Sequence, residues 1–174
     1  MKPLFLLILL VASTLVSGQS TVVETGSHGF RLITEFKTAN GFYQVIQNEK
    51  AAVLEINMRP RKALGIADYK NIYYYSSQSQ QHVYSDDMKE HFRFDIFSKL
   101  DEIGGKTVKT WFHAPEKGPF IIEEIGGLVL DIGFINGIEK INGQRVEYDF
   151  VNGRPIRIGK ETLDYIMGSR VTIQ

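Results

Sequence analysis

From Gly127 to Gln174 the chain carries one alternating pattern three times over, and this limits the fold more than any other feature. Leu130-Asp131-Ile132-Gly133-Phe134-Ile135-Asn136-Gly137 aligns without a gap, sixteen positions on, with Val146-Glu147-Tyr148-Asp149-Phe150-Val151-Asn152-Gly153. A weaker third copy, Leu163-Asp164-Tyr165-Ile166-Met167, follows at an offset of seventeen. In each copy the apolar residues fall on alternate positions, as Leu130, Ile132 and Phe134 do in the first. Successive side chains of an extended chain point to opposite faces, so a period of two marks a strand with one buried and one wet face. In the third copy Leu163, Ile166 and Met167 are also spaced i, i+3, i+4, and Gly168 could close a short helix, which competes there with the strand.

The second copy predicts its own pairing. If Val151, Asn152 and Gly153 form the loop, with Gly153 in the left-handed conformation, then Phe150 faces Arg154, Tyr148 faces Ile156 and Val146 faces Ile158. Glu147 then falls opposite Arg157 on the wet face, so apolar meets apolar and acid meets base. The segment Tyr148-Asp149-Phe150-Val151-Asn152-Gly153-Arg154 resembles the strand-turn-strand unit of YD-type (RHS-like) repeats of bacterial secreted and surface proteins, in which a Tyr-Asp pair precedes a Gly-Arg turn. That resemblance implies an exported β-structure that encases, carries or contacts something, and it brings no catalytic residues with it.

Upstream, Phe30, Leu32, Thr34 and Phe36 alternate with Arg31, Glu35 and Lys37, again as in a strand with one wet face. Asn40-Gly41 supplies a turn, and strands are expected over 42–47 and 51–58, the latter stopped by Pro60, which has no amide for a ladder. Residues 63–70 are ambiguous, Asn71 to Tyr75 has strand propensity, and the polar run over 76–81 reads as a flexible loop. Met88, Phe92, Ile96, Leu100 and Ile103 recur at spacings of four and three. Asp87 and Glu90 stand at capping-box spacing and Gly104-Gly105 suits a C-cap, so one amphipathic helix is expected over about 86–103. Residues 107–113 and 120–125 read as strands joined through the turn chemistry of Pro115 to Pro119. The expected fold is mainly β (α+β): an antiparallel sheet or meander, that one helix, and a C-terminal set of β-hairpin repeats over 127–174.

Residues 1–18 have the plan of a secretory signal peptide: Lys2, an uncharged apolar run from Leu4 to Val16, and small residues up to Gly18. The run is shorter than the ~20 residues of a spanning helix. A single β-rich domain over 19–174, secreted or periplasmic and with no membrane span, is the expected product. The chain has no cysteine, which rules out disulfides and cysteine-ligated zinc or iron-sulfur centres and suits a bacterial envelope better than a disulfide-rich secreted scaffold. Twenty basic and twenty acidic residues give a formal net charge of +0, so no long-range field draws in nucleic acid. The short cluster Arg59-Pro60-Arg61-Lys62 reads as a solvated turn.

Tyr73, Tyr75 and Tyr84, with Trp111, are the candidate ligand-binding residues, because amphipathic rings with hydrogen-bonding tips suit a glycan or protein partner. The competing reading divides alternate tyrosines of one strand between core and solvent. His82, Asp86 and His91 form a candidate metal set, with His113 a further imidazole, although no HExxH or similar spacing supports it. There is no Gly-x-Ser-x-Gly elbow and no cysteine nucleophile, and Glu123, Glu124, Asp131 and Asp149 are as readily wet-face acids as paired catalytic carboxylates. No catalytic residue is assigned and no cofactor is specified. The expectation is an exported, non-enzymatic binding or scaffolding protein; the alternative is a small secreted hydrolase, metal-assisted, using His82, Asp86 and His91 with Glu123.

Overall fold

A computed structural model describes residues 18–61, 68–85, 90–111, 118–133 and 137–174. The leader expected at the N-terminus lies outside these residues, save Gly18. The described chain is a succession of strands: β1 (Ser20–Thr25), β2 (Arg31–Lys37), β3 (Gly41–Gln47), β4 (Val53–Pro60), β5 (Lys70–Ser76), β6 (Gln81–Tyr84), β7 (Phe92–Phe94), β8 (Leu100–Ile103), β9 (Lys106–Thr110), β10 (Ile122–Ile125), β11 (Leu128–Gly133), β12 (Gly137–Ile141), β13 (Gln144–Tyr148), β14 (Pro155–Ile158), β15 (Glu161–Thr162) and β16 (Ser169–Ile173).

They form two antiparallel sheets, seven strands in the order β16-β1-β2-β3-β4-β5-β6 and nine in the order β15-β14-β13-β12-β11-β10-β9-β8-β7. Within each sheet neighbours in sequence lie side by side, except that β16, which follows β15 of the second sheet, pairs with β1 of the first; the chain passes from the first sheet to the second between β6 and β7. Because each strand reverses the last, the connections of the second sheet sort to two ends. Those after β8, β10, β12 and β14 are short. Gly104 and Gly105, Gly126 and Gly127, and Asn142 and Gly143 have positive φ at both positions, the hairpin conformation whose twist matches that of the flanking strands.

Alternation decides what is inside. In β2, Leu32, Thr34 and Phe36 are buried, and in β11 Leu128 and Leu130 are buried while Val129 and Asp131 face out. One hydrophobic cluster draws on both sheets, with Leu32, Phe36 and Tyr43 from the first and Ile103, Ile125 and Ile141 from the second. The sheets are also joined by backbone. Ala52 bridges Ile121, the Val53 amide donates to the Phe120 carbonyl at 2.7 Å, and the Ile122 amide donates to the Ala51 carbonyl at 3.3 Å. Beside this seam the buried side chain of Gln47 donates through Nε2 to the carbonyls of Ala51 and Ile122, at 2.8 and 2.9 Å, so the crossing itself supplies both acceptors of its NH2 group.

A helix is expected over about 86–103; residues 86–89 lie outside the described residues, the remainder contains the hairpin of β7 and β8, and no α-helix occurs among the described residues. Phe92, Leu100 and Ile103 reach the core as the apolar stripe required, but Ile96 is 92% exposed and Phe97 76%. Residues 95–99 turn the chain between β7 and β8. The helical spacing arose because β7 buries Phe92 and β8 buries Leu100 and Ile103, at separations that a helical stripe also shows, and Gly104-Gly105, apt for a C-cap, equally suits a hairpin turn.

Smaller expectations are also corrected. The polar run is a turn at 77–80 leading directly into β6. β4 ends at Pro60 as expected, but includes it, with Pro60 in register with Gly41. The third copy is neither strand nor helix: β15 stops at Thr162, and at 165–167 the chain bends with Ile166 and Met167 in solvent. In the second copy Val146 pairs with Ile158 and Glu147 with Arg157 as expected, but a bulge after Glu147 sets Tyr148 opposite Pro155 and leaves Phe150 fully exposed. The hairpin of β11 and β12 has its bulge after Asp131, the position that aligns with Glu147. In both, the residue before the bulge is the acid of an exposed ion pair, Asp131 with Lys140 at 2.8 Å and Glu147 with Arg157 at 3.3 Å.

Candidate binding surface

The strongest concentration of functional side chains lies where β6, at the edge of the first sheet, meets β7, at the edge of the second. In the hairpin of β5 and β6, Tyr73 pairs with Tyr84 and Tyr75 with His82. Tyr73 is fully buried, whereas Tyr75 and His82 are half-buried and Tyr84 is 37% exposed. β7 adds Phe92 in the core and Phe94 at the surface, and Phe120 comes in from the segment before β10. The rings make one connected array: His82 stacks on Phe120 at 4.5 Å between centroids, Tyr84 meets Phe94 edge-on at 6.4 Å, and Phe94 meets Phe120 at 6.2 Å. Such tilted and edge-on pairs suit the ring quadrupoles and hold the array in shape.

Three of the four ligand-binding candidates, Tyr73, Tyr75 and Tyr84, are thus brought together, with Tyr73 as the buried support rather than a contact. Trp111 follows β9 half-buried, its amide donating to the Ile121 carbonyl at 2.9 Å. His82, a candidate metal ligand, stands inside the aromatic array. Phe94 and Phe120 were not singled out as site residues. The strand alternation of Phe92 and Phe94 about Arg93 pointed to the former, but the helical stripe masked it.

Burial sets the protonation of this surface. The Tyr73 phenol is pushed well above its ordinary value, chiefly by burial and further by the nearby Tyr84, and Tyr84 is pushed up to about 12 by burial. Both stay protonated at neutral pH. Burial lowers the His82 imidazole, so its ring is neutral there. The Tyr73 hydroxyl and His82 Nδ1 share a hydrogen bond of 2.9 Å whose direction follows the ring tautomer. The array presents apolar ring surface with neutral donors at its margins, apt for stacking and hydrogen bonding.

The other candidate sets are engaged elsewhere. His91 Nδ1 lies 2.8 Å from the hydroxyl of Tyr43, Asp86 and His113 lie outside the described residues, and among the described residues no group of three or more His, Asp or Glu is placed to hold a metal. Glu123 pairs with Lys109 at 3.2 Å, Asp131 with Lys140, and Asp149 accepts from the Val151 amide at 2.7 Å. Arg59, expected in a solvated turn, lies over the rings of Phe42 and Tyr69, 4.6 and 4.9 Å from their centroids. Among the described residues no helix is long and apolar enough to cross a membrane. Compared with models of known families, with curated proteins and with solved structures, the chain finds no match in any of the three.

Proposed function

We propose that this chain is an exported, non-enzymatic binding protein whose recognition surface is the aromatic array of Tyr75, His82, Tyr84 and Phe94, and that its ligand is a glycan. One observation carries the reading: neutral, partly exposed rings with hydrogen-bonding tips are fixed on buried supports, Tyr73 beneath His82 and Phe120 beneath both His82 and Phe94. Rings of this kind stack on the apolar face of a sugar while their hydroxyl and imidazole groups meet its hydroxyls, and little entropy is lost because the rings are already ordered. Export rests on the leader-like residues 1–18 and the absence of cysteine. The likeness of the hairpins of β11–β12 and β13–β14, each with its bulge after an acid in an ion pair, supports a hairpin-repeat scaffold that carries this surface. It accords with the resemblance of Tyr148 to Arg154 to YD-type repeats.

The test is saccharide binding to the purified chain, measured by saturation-transfer NMR against a panel of envelope glycans. Tyr84→Ala combined with Phe94→Ala is expected to weaken binding at least about tenfold, the scale of a central aromatic contact, with little loss of melting temperature because both side chains are partly exposed. Unchanged binding in the double variant, or no binding by the parent to any glycan, overturns the proposal.

A further inference from the structure

The large apolar side chains most exposed to solvent are not scattered. Ile96 and Phe97, Phe150 and Val151, and Ile166 and Met167 are 76 to 103% exposed, and they sit on three turns, after β7, β13 and β15. The up-and-down order of the second sheet places all three at the same end, opposite the glycine turns. Two of them are neighbours locked to each other: the Tyr165 hydroxyl donates to the Pro155 carbonyl at 2.8 Å, and the Arg154 guanidinium lies 5.6 Å from the centre of the Tyr165 ring.

Each turn has the same construction. An aspartate opens it, and its carboxylate accepts the amides of the apex: Asp95 from Phe97, Asp149 from Val151, and Asp164 from Ile166 and Met167, all between 2.7 and 3.0 Å. The apices are thereby apolar in side chain and partly satisfied in backbone, which water does not require and a hydrocarbon medium does. Immediately behind them the ground is polar and of mixed sign, with Asp95, Asp149 and Asp164 against Lys99 and Arg154. Apolar tips backed by charges of both signs with no cationic excess match the short passage from acyl chains to zwitterionic headgroups. The formal net charge of +0 gives no reason for an anionic surface.

We propose that this end of the second sheet is a shallow insertion site for a zwitterionic phospholipid surface, with Phe150, Val151, Ile166 and Met167 as its centre and Ile96 and Phe97 as an outlying contact. The chain touches the bilayer with turn tips and does not span it. Its central residues, on the turns after β13 and β15, share no strand with the aromatic array, so its failure leaves the glycan reading untouched and the reverse.

Because the chain has no cysteine, single probes report the contact directly. Val151→Cys and, on a turn at the opposite end, Lys160→Cys are labelled with a polarity-sensitive dye and mixed with phosphatidylcholine vesicles. A blue shift at position 151 with none at 160 is expected. No shift at 151, or equal shifts at both, overturns the proposal; adsorption through the apolar residues 4–16 alone leaves both labels in water and counts against it. In a second measurement the label is placed at Phe97→Cys and Phe150, Val151, Ile166 and Met167 are all changed to Ser. Half-maximal shift is expected to need roughly ten times more vesicles or beyond, since membrane partition scales with buried apolar area, while the melting temperature holds. An unchanged vesicle requirement, or a shift seen only with anionic lipid and abolished by salt, overturns it.

Discussion

The hydroxyl of Tyr73 and Nδ1 of His82 lie 2.9 Å apart on neighbouring strands, so a fully buried phenol fixes the orientation of a half-buried imidazole. Tyr73→Phe keeps the ring and removes the hydroxyl partner. Leaving a partly buried ring nitrogen unmet costs about 1 to 3 kcal/mol, which for a chain of this size lowers the melting temperature by about 2 to 10 °C. A thermal melt checks this, and an unchanged midpoint would show that the hydrogen bond adds nothing.

The same imidazole makes stability depend on pH. Burial lowers the His82 pKa below the ordinary 6.5, so the unfolded chain takes up a proton first as the solution is acidified. Its effect on stability is therefore absent above about pH 6.5 and becomes a progressive loss as pH falls from there towards the lowered folded value. Urea unfolding at pH 7.5 and 5 should show a drop in the parent that is smaller in His82→Gln; equal drops would mean that other groups cause it.

Gly104 and Gly105 form one turn yet should differ. Both have positive φ, but a Cβ on Gly104 would collide with the ring of Tyr43, whereas nothing lies within 4 Å of one on Gly105. Gly105→Ala bears only the left-handed penalty of about 1 to 2 kcal/mol. Gly104→Ala adds overpacking, about 1 to 3 kcal/mol more. Chemical denaturation of the two variants should rank them in that order.

Leu100 and Ile96 separate the hairpin from a helix. A helical stripe would bury both, whereas Leu100 is 1% exposed and Ile96 92%. Leu100→Ala should cost about 2 to 5 kcal/mol, and Ile96→Ala less than about 0.5 kcal/mol. Comparable losses from both would restore the helix.

The parts of the fold legible beforehand were those where local pattern and tertiary burial coincide. Leu32, Thr34 and Phe36 alternate with charged or solvent-edge neighbours and become β2; the pairing of Val146 with Ile158 and Glu147 with Arg157 followed from matching apolar and charged positions. Errors arose where a short hairpin imitates another period. Phe92, Leu100 and Ile103 satisfy a helical stripe, and only the exposure of Ile96 and Phe97 separates the two, a property of the assembled molecule. The bulges were illegible because each depends on the partner strand. At the candidate site, Tyr73, Tyr75 and Tyr84 were visible as a tyrosine-rich run with strand alternation, but Phe94 and Phe120 join them only through the meeting of two sheets.

The pairing of β16 with β1 orders events in time. The Ser169 amide closes on the Thr25 hydroxyl across 144 positions, and the two strands then run together as far as Thr21 and Ile173. While the chain is still being made, β1 can gain its partner on one side from β2, but its other edge stays open until residues 169–173 emerge. Contacts so distant in sequence slow folding and prolong the exposure of unpaired strand. The first sheet is finished only when β16 joins it, and synthesis interrupted before that point leaves an adhesive edge on β1.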